Sequence, residues 1–226
     1  MRTRDAWRLA FPAEPRSEIV HEMLHIWAIG CREQPQKYSS KRREESLTEE
    51  LWMLLEQFKA VSGLNGKWTY EDRDARVIKN GQISRIRKDI TYFSNRLEDA
   101  NPGPLYLIFE FKKIARNKLS AYKNERGMRR FVDGDYAVKL PLAFMVGMVL
   151  DDKKETSTSL KRSLNNQGSR QVLHMVPDAN SHYVRPSPDM AEVVEFETEH
   201  NRPPDLAPEG GTITLGHCFI DFPQET

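Results

Sequence analysis

Apolar residues recur along this chain with two different periods, and the change from one to the other divides it. After Ser17, the residues Ile19, Met23 and Ile26 fall at i, i+4 and i+7, and Val20, Leu24 and Trp27 repeat that spacing until Gly30. This predicts a short packed helix. A polar, basic stretch from Glu33 to Arg43 leads to a second amphipathic run, with Leu47, Leu51, Leu54, Leu55 and Phe58 on one face and Ser62-Gly63 as its stop. From Lys67 to Phe93 the pattern changes to Trp68-Thr69-Tyr70 and Val77-Ile78, followed by an Asn80-Gly81 pair that favours a tight hairpin.

Beyond the turn residues Asn101-Pro102-Gly103-Pro104, the run Leu105 to Phe111 is apolar and aromatic except for one acid, Glu110, which predicts a central strand buried on both faces. Ile114 to Arg130 places Ala115, Leu119 and Tyr122 at helical spacing, and Leu140 to Leu150 is a second buried apolar segment, so strand, helix and strand are expected. Asp152 to Asn166 suits an exposed helix, Pro177 to Pro188 a loop, and Thr212 to Phe222, after Gly210-Gly211, a final strand. The order predicts an α/β fold with a mixed central sheet flanked by helices. Residues 1–151 are expected to form the core with its N-terminal helix, and 152–226 a C-terminal elaboration of the same domain.

Length and composition narrow the functional classes. The 226 residues, with 34 Lys and Arg against 33 Asp and Glu, fit one domain, and no apolar run approaches the roughly 18 residues of a membrane span. Two cysteines, Cys31 and Cys218, make no disulfide framework, and no apolar signal core follows Met1-Arg2-Thr3-Arg4-Asp5, so a reducing cytoplasm is expected. The near-neutral total conceals a dipole. From Lys112 to Arg130 there are eight cations (Lys112, Lys113, Arg116, Lys118, Lys123, Arg126, Arg129, Arg130) against Glu125 alone, a net of +7. Pro186 to Thr226 holds nine acids against Arg202, a net of −8. The basic segment, read as a helix, is a candidate nucleic-acid surface through Lys113, Arg116, Lys118, Lys123, Arg126, Arg129 and Arg130. The acidic region is a candidate contact for a partner protein or a second copy.

The acid inside the apolar strand carries the chemistry, because a buried carboxylate costs several kcal/mol unless it is paired. Strand periodicity puts Glu110 and Lys112 on one face, and Asp89 lies 21 residues upstream near a neighbouring strand. Two carboxylates beside a lysine suit Mg²⁺, with a lysine to orient or help deprotonate a water. The plain alternative is a structural ion pair.

Asp89 followed by the strand end Glu110-Phe111-Lys112 resembles the Asp...(Asp/Glu)-x-Lys signature of the PD-(D/E)XK nuclease superfamily. Gly127 to Ala137, followed by Phe144 to Val149, also resembles the helix and strand after the lysine in uncharacterised, defence-type members. The resemblance spans roughly residues 40 to 150 and departs from the pattern at Lys88, where a proline would stand. It implies a restriction endonuclease-like core, Mg²⁺ with Mn²⁺ as a substitute, hydrolysis of phosphodiester bonds in DNA, and a role in antiviral defence. It implies Asp89 and Glu110 as metal ligands, Lys112 as the catalytic lysine, and a further Glu from the helix before the sheet. Glu44 fits that place, since it lies beside the Leu47, Leu51 and Leu55 stripe while Glu45 and Glu49 point away.

A second motif competes. His21-Glu22-Met23-Leu24-His25 fits the His-Glu-x-x-His of zinc peptidases, and Glu45, 20 residues beyond His25, resembles the third ligand of thermolysin-like enzymes. Against it, Trp7 to Phe11 is poor material for a substrate-lining strand ahead of the zinc helix. His174, His182, His200 and His217 show no ligand spacing and read as structural, although Ser181-His182 with Arg185 could line the rim of a site. Cys218 reads as a small buried hydrophobe. A third reading is a non-catalytic nucleic-acid-binding or assembly subunit on the same fold.

Overall fold

Two helices open the described part of the chain: α1 (Arg16–Glu33) and α2 (Glu44–Phe58). The computed structural model describes residues 16–64, 66–71, 73–77, 83–94 and 105–223, leaving aside the side chains of 73–77 and 83–87. The expected Asn80-Gly81 turn and the segment from Trp7 to Phe11 lie outside the described residues. The apolar stripes of both helices behave as their spacing requires. Ile19, Val20, Met23, Ile26 and Trp27 on α1 and Leu47, Leu51, Leu54 and Leu55 on α2 are buried together against one sheet face. Trp27 Nε1 donates to the Asp221 carbonyl at 2.8 Å, which fixes α1 against the end of the last strand.

The strands are β1 (Lys67–Tyr70), β2 (Arg73–Val77), β3 (Ile83–Arg87), β4 (Ile90–Ser94), β5 (Leu105–Ile114), β6 (Leu142–Val149), β7 (Met175–Val176), β8 (Phe196–Asn201) and β9 (Thr212–Asp221). Seven form one mixed sheet in the order β1-β4-β5-β6-β9-β8-β7, while β2 and β3 pair separately as an antiparallel ladder. The β5–β6 and β6–β9 pairings are parallel, and those of β4–β5 and β8–β9 are antiparallel. Every residue of β6 is buried, as a central strand covered on both faces must be. The fold is therefore mixed α/β, with a sheet flanked by helices.

Two expectations change. The single basic helix from Ile114 to Arg130 does not form. β5 continues to Ile114, a turn closes between Ala115 and Lys118, and two short helices follow, α3 (Ser120–Lys123) and α4 (Met128–Val132). Gly127 separates them because the chain doubles back there, so that a Cβ at this position would stand 2.1 Å from the Tyr122 carbonyl oxygen. Residues 152–226, expected as an elaboration, supply three strands of the sheet, and β9 lies between β6 and β8. They also supply α5 (Lys153–Leu164), capped by Asp152 on the Glu155 amide at 2.7 Å, and α6 (Gln167–Val172). β8 is not legible in the sequence, because its acids mask an alternation that turns Phe196, Thr198 and His200 inward.

The second sheet face is closed by α3, α4 and α5, which bury Tyr122, Met128, Phe131, Val132, Leu160 and Leu164 against Ile108, Met145 and Leu215. Successive residues of β5 therefore meet different layers. Phe109 and Phe111 face α1 and α2, whereas Ile108 and Ile114, and with them Glu110 and Lys112, face α3 and α4. Among the described residues no helix is long and apolar enough to cross a membrane.

Candidate active site

The site exists because β4 stops before β5 does. The β4–β5 ladder ends at the pair Ile90 and Phe109, so the polar backbone groups of β5 beyond Phe109 on that side have no strand partner. Side chains take them instead. The Phe111 N–H donates to Asp89 Oδ2 at 3.0 Å, the Lys113 N–H to Glu44 Oε2 at 2.9 Å, and the Phe111 carbonyl accepts from Lys112 Nζ at 2.7 Å. Asp89 is delivered by the residue just before β4, and Glu44 by the first turn of α2, where a carboxylate also suits the helix dipole.

Lys112 Nζ is the centre of the cluster. It contacts Glu44 Oε1 at 2.7 Å and Glu110 Oε1 at 2.9 Å. Arg130, from α4, approaches the same Glu110 oxygen at 3.3 Å and also bonds the Tyr136 hydroxyl. Glu110 is fully buried, and its other oxygen, Oε2, has no hydrogen-bond partner among the described residues. The four residues expected from the sequence, Glu44, Asp89, Glu110 and Lys112, are thus brought into one place.

Burial and a shortage of positive charge govern their protonation. Desolvation, with the neighbouring Asp89 charge added, raises Glu110 from 4.5 to about 8 despite Lys112 and Arg130. Desolvation also raises Asp89, against the pull of Lys112 and the Phe111 amide. For Lys112, burial acts to lower the pKa, but Glu110, Asp89 and Glu44 outweigh it and raise it above the ordinary lysine value. Three carboxylates therefore face two cations at a buried edge. The orphaned Glu110 Oε2 and the excess of carboxylate fit a hard divalent cation, which takes one or two protein carboxylates and keeps several waters. No group of three or more His, Cys, Asp or Glu side chains converges as a closed ligand set among the described residues, because Lys112 stands between Glu44 and Glu110.

Arg130, expected among the backbone-binding cations, pairs with Glu110. It lines the carboxylate cluster. The other members of that set are also dispersed: Lys113 bonds the carbonyls of Ser40 and Arg42, Arg116 pairs with Glu155, Lys123 bonds Ser163 and Ser169, and Arg129 pairs with Glu125 and Asp133. Lys118 and Arg126 alone of the set are exposed without a side-chain partner among the described residues. Lys88, in the place of the absent proline, turns to the Tyr106 hydroxyl at 2.8 Å. The one signal in the sequence for Arg130 was the need of a buried Glu110 for further positive charge.

The competing motif is differently placed. His21 and His25 stack at 6.1 Å between ring centroids on the exposed side of α1, while Glu45 pairs with Arg43 at the start of α2. His200 and His217 are fully buried in a chain of hydrogen bonds. Tyr122 Oη meets His217 Nδ1 at 2.9 Å, His217 Nε2 meets Thr198 Oγ1 at 2.9 Å, Thr198 Oγ1 meets His200 Nε2 at 2.8 Å, and His200 Nδ1 meets the Leu173 carbonyl at 2.7 Å. Desolvation pushes the Cys31 and Cys218 thiols up to about 12. Part of the acidic region is engaged within the fold, with Glu195 on Lys161, Glu197 on Ser187 and Glu199 on Arg185, while Asp189, Glu192, Asp205 and Glu209 are exposed. In comparisons with known proteins, no family model, no curated protein and no solved structure matches the chain.

Proposed function

We propose that the chain is a divalent-metal-dependent nuclease with a restriction endonuclease-like core, hydrolysing phosphodiester bonds in DNA. The observation that carries this reading is the convergence of Asp89, Glu110 and Lys112, joined by Glu44, on the unpaired edge of β5. A structural ion pair needs neither a third carboxylate nor a buried carboxylate oxygen without a bond, and both are present.

Asp89 and Glu110 would hold Mg²⁺ or Mn²⁺, which when bound supplies a polarised water and positive charge for the developing phosphorane. The chain's own groups do the rest. Lys112, held as an ammonium by three carboxylates, acts as a donor that orients the attacking water and offsets negative charge, not as a base. Glu44 fixes that ammonium in place. Arg130, whose side chain is 32% exposed, braces Glu110 and would offer a phosphate its remaining N–H donors.

The test is cleavage of plasmid, linear DNA and RNA by wild type and Glu110→Ala with Mg²⁺, Mn²⁺ or EDTA. Cleavage by wild type with either ion, lost with EDTA and in a folded Glu110→Ala, supports the reading. Undiminished cleavage by Glu110→Ala overturns it, and metal-independent binding without any cleavage would mark a non-catalytic subunit instead.

A further inference from the structure

A pocket of about 370 Å³ lies between α3, α4 and α6, away from the carboxylate cluster, and is lined by Leu119, Ser120, Lys123, Arg129, Ser169 and Val172 among others. Two features of its walls are unusual. Lys123 Nζ is held by Ser163 Oγ at 2.5 Å and Ser169 Oγ at 3.1 Å, and no carboxylate pairs with it among the described residues. Arg129 is neutralised by Glu125 and Asp133, yet its Nε–H is buried without an acceptor. Buried N–H donors are ordinarily bonded. Lys123 thus borders the pocket with its ammonium held by hydroxyls alone, while Glu125 and Asp133 stay on Arg129. Desolvation lowers the Lys123 pKa, the expected state of a cation that lacks its counter-ion.

We propose that this pocket binds a phosphoryl group of a small phosphate-bearing ligand, with Lys123 as the charge partner and the serine hydroxyls as further hydrogen-bonding groups. A phosphoryl group is the anion that matches a point charge ringed by hydroxyls. The volume lies within the range of small-molecule sites, and the apolar side chains of Leu119 and Val172 would cover the non-ionic part of such a molecule. The same chemistry could arrive on a nucleic-acid strand. The inference stands apart from the nuclease reading, since none of these groups touches Glu44, Asp89, Glu110 or Lys112.

Calorimetric titration of the full chain with inorganic phosphate, adenosine monophosphate, adenosine, and a short oligonucleotide without terminal phosphate tests it. The phosphate and the nucleotide should bind and adenosine should not, with affinity reduced about tenfold or more in Lys123→Gln. Val172→Asp, at a position 55% exposed, should weaken binding similarly through charge repulsion without changing the melting temperature. Binding of the oligonucleotide alone, lost in Lys123→Gln, would assign the phosphoryl group to a strand. Absence of binding by every phosphate-bearing probe, or affinity unchanged in both variants, overturns the proposal. Glu110→Ala should bind as wild type does, and loss of binding there would overturn the assignment to a separate pocket.

Discussion

Lys112 Nζ lies 2.7 Å from Glu44 Oε1, a contact that joins β5 to the first turn of α2 across 68 positions of the chain. Glu44 raises the Lys112 pKa by its charge and by this hydrogen bond, in company with Glu110 and Asp89 and against desolvation. Glu44→Gln should therefore lower the Lys112 pKa. If Lys112 acts as an ammonium donor, the alkaline limb of the cleavage profile moves to lower pH in this variant, while the fold is kept. NMR titration of the Lys112 side chain and a pH series of kcat check the two halves separately.

Removing the charge partners should separate chemistry from folding. Glu110→Ala and Lys112→Ala are each expected to reduce Mg²⁺-dependent cleavage by about a hundredfold or more, the usual scale for a group that stabilises developing charge. His21→Ala, on the exposed side of α1, should leave cleavage intact. Steady-state rates paired with thermal melts give the comparison. Peptide hydrolysis inhibited by 1,10-phenanthroline and abolished in His21→Ala and His25→Ala would support the zinc peptidase instead.

The buried histidines set the response to acid. Desolvation lowers His200 from 6.5 to about 4 and lowers His217 as well, so both are neutral when folded. A histidine with a depressed folded pKa contributes stability that is present above the unfolded value and lost as pH falls through the folded one. Stability should decline between pH 6.5 and 4, by up to about 3 kcal/mol for His200 alone at the conversion of 1.36 kcal/mol per unit. Urea denaturation across this window should show the slope, and His200→Gln should flatten it.

Thr198→Val interrupts the same chain of hydrogen bonds. It leaves His217 Nε2 and His200 Nε2 without their shared partner in a fully buried place, at an expected cost of about 1–3 kcal/mol. A shift of the denaturation midpoint with an unchanged slope on denaturant is the expected reading.

Gly127→Ala tests the corner that carries Arg130 to the site. The added Cβ would meet backbone oxygens of Tyr122 and Ala121 at 2.1 and 2.7 Å, which no rotamer change can relieve. The expected loss is about 1–3 kcal/mol, the usual range for overpacking. Cleavage should fall further than stability explains, because α4 holds Arg130 against Glu110. Denaturation midpoints compared with kcat decide this.

Local chemistry was enough to find the helical stripes of Leu47 to Leu55 and the buried strand Leu105 to Phe111, since periodicity and burial are written residue by residue. The same holds for Glu110 and Lys112, whose alternation on one strand puts them on one face. Asp89 was a candidate from its place near a neighbouring strand, while Glu44 became one through the superfamily resemblance, with helical spacing selecting it over Glu45. Only tertiary structure decided that β4 ends opposite Phe109, which leaves the amides of Phe111 and Lys113 for the carboxylates of Asp89 and Glu44. It also decided that six of the eight cations of 112–130 meet separate partners within the fold, because Gly127 folds back a segment whose spacing suits one helix. Periodicity describes which way a side chain points from its own backbone. Which distant group it meets depends on strand order and chain reversals, and these are settled by packing across the whole sheet.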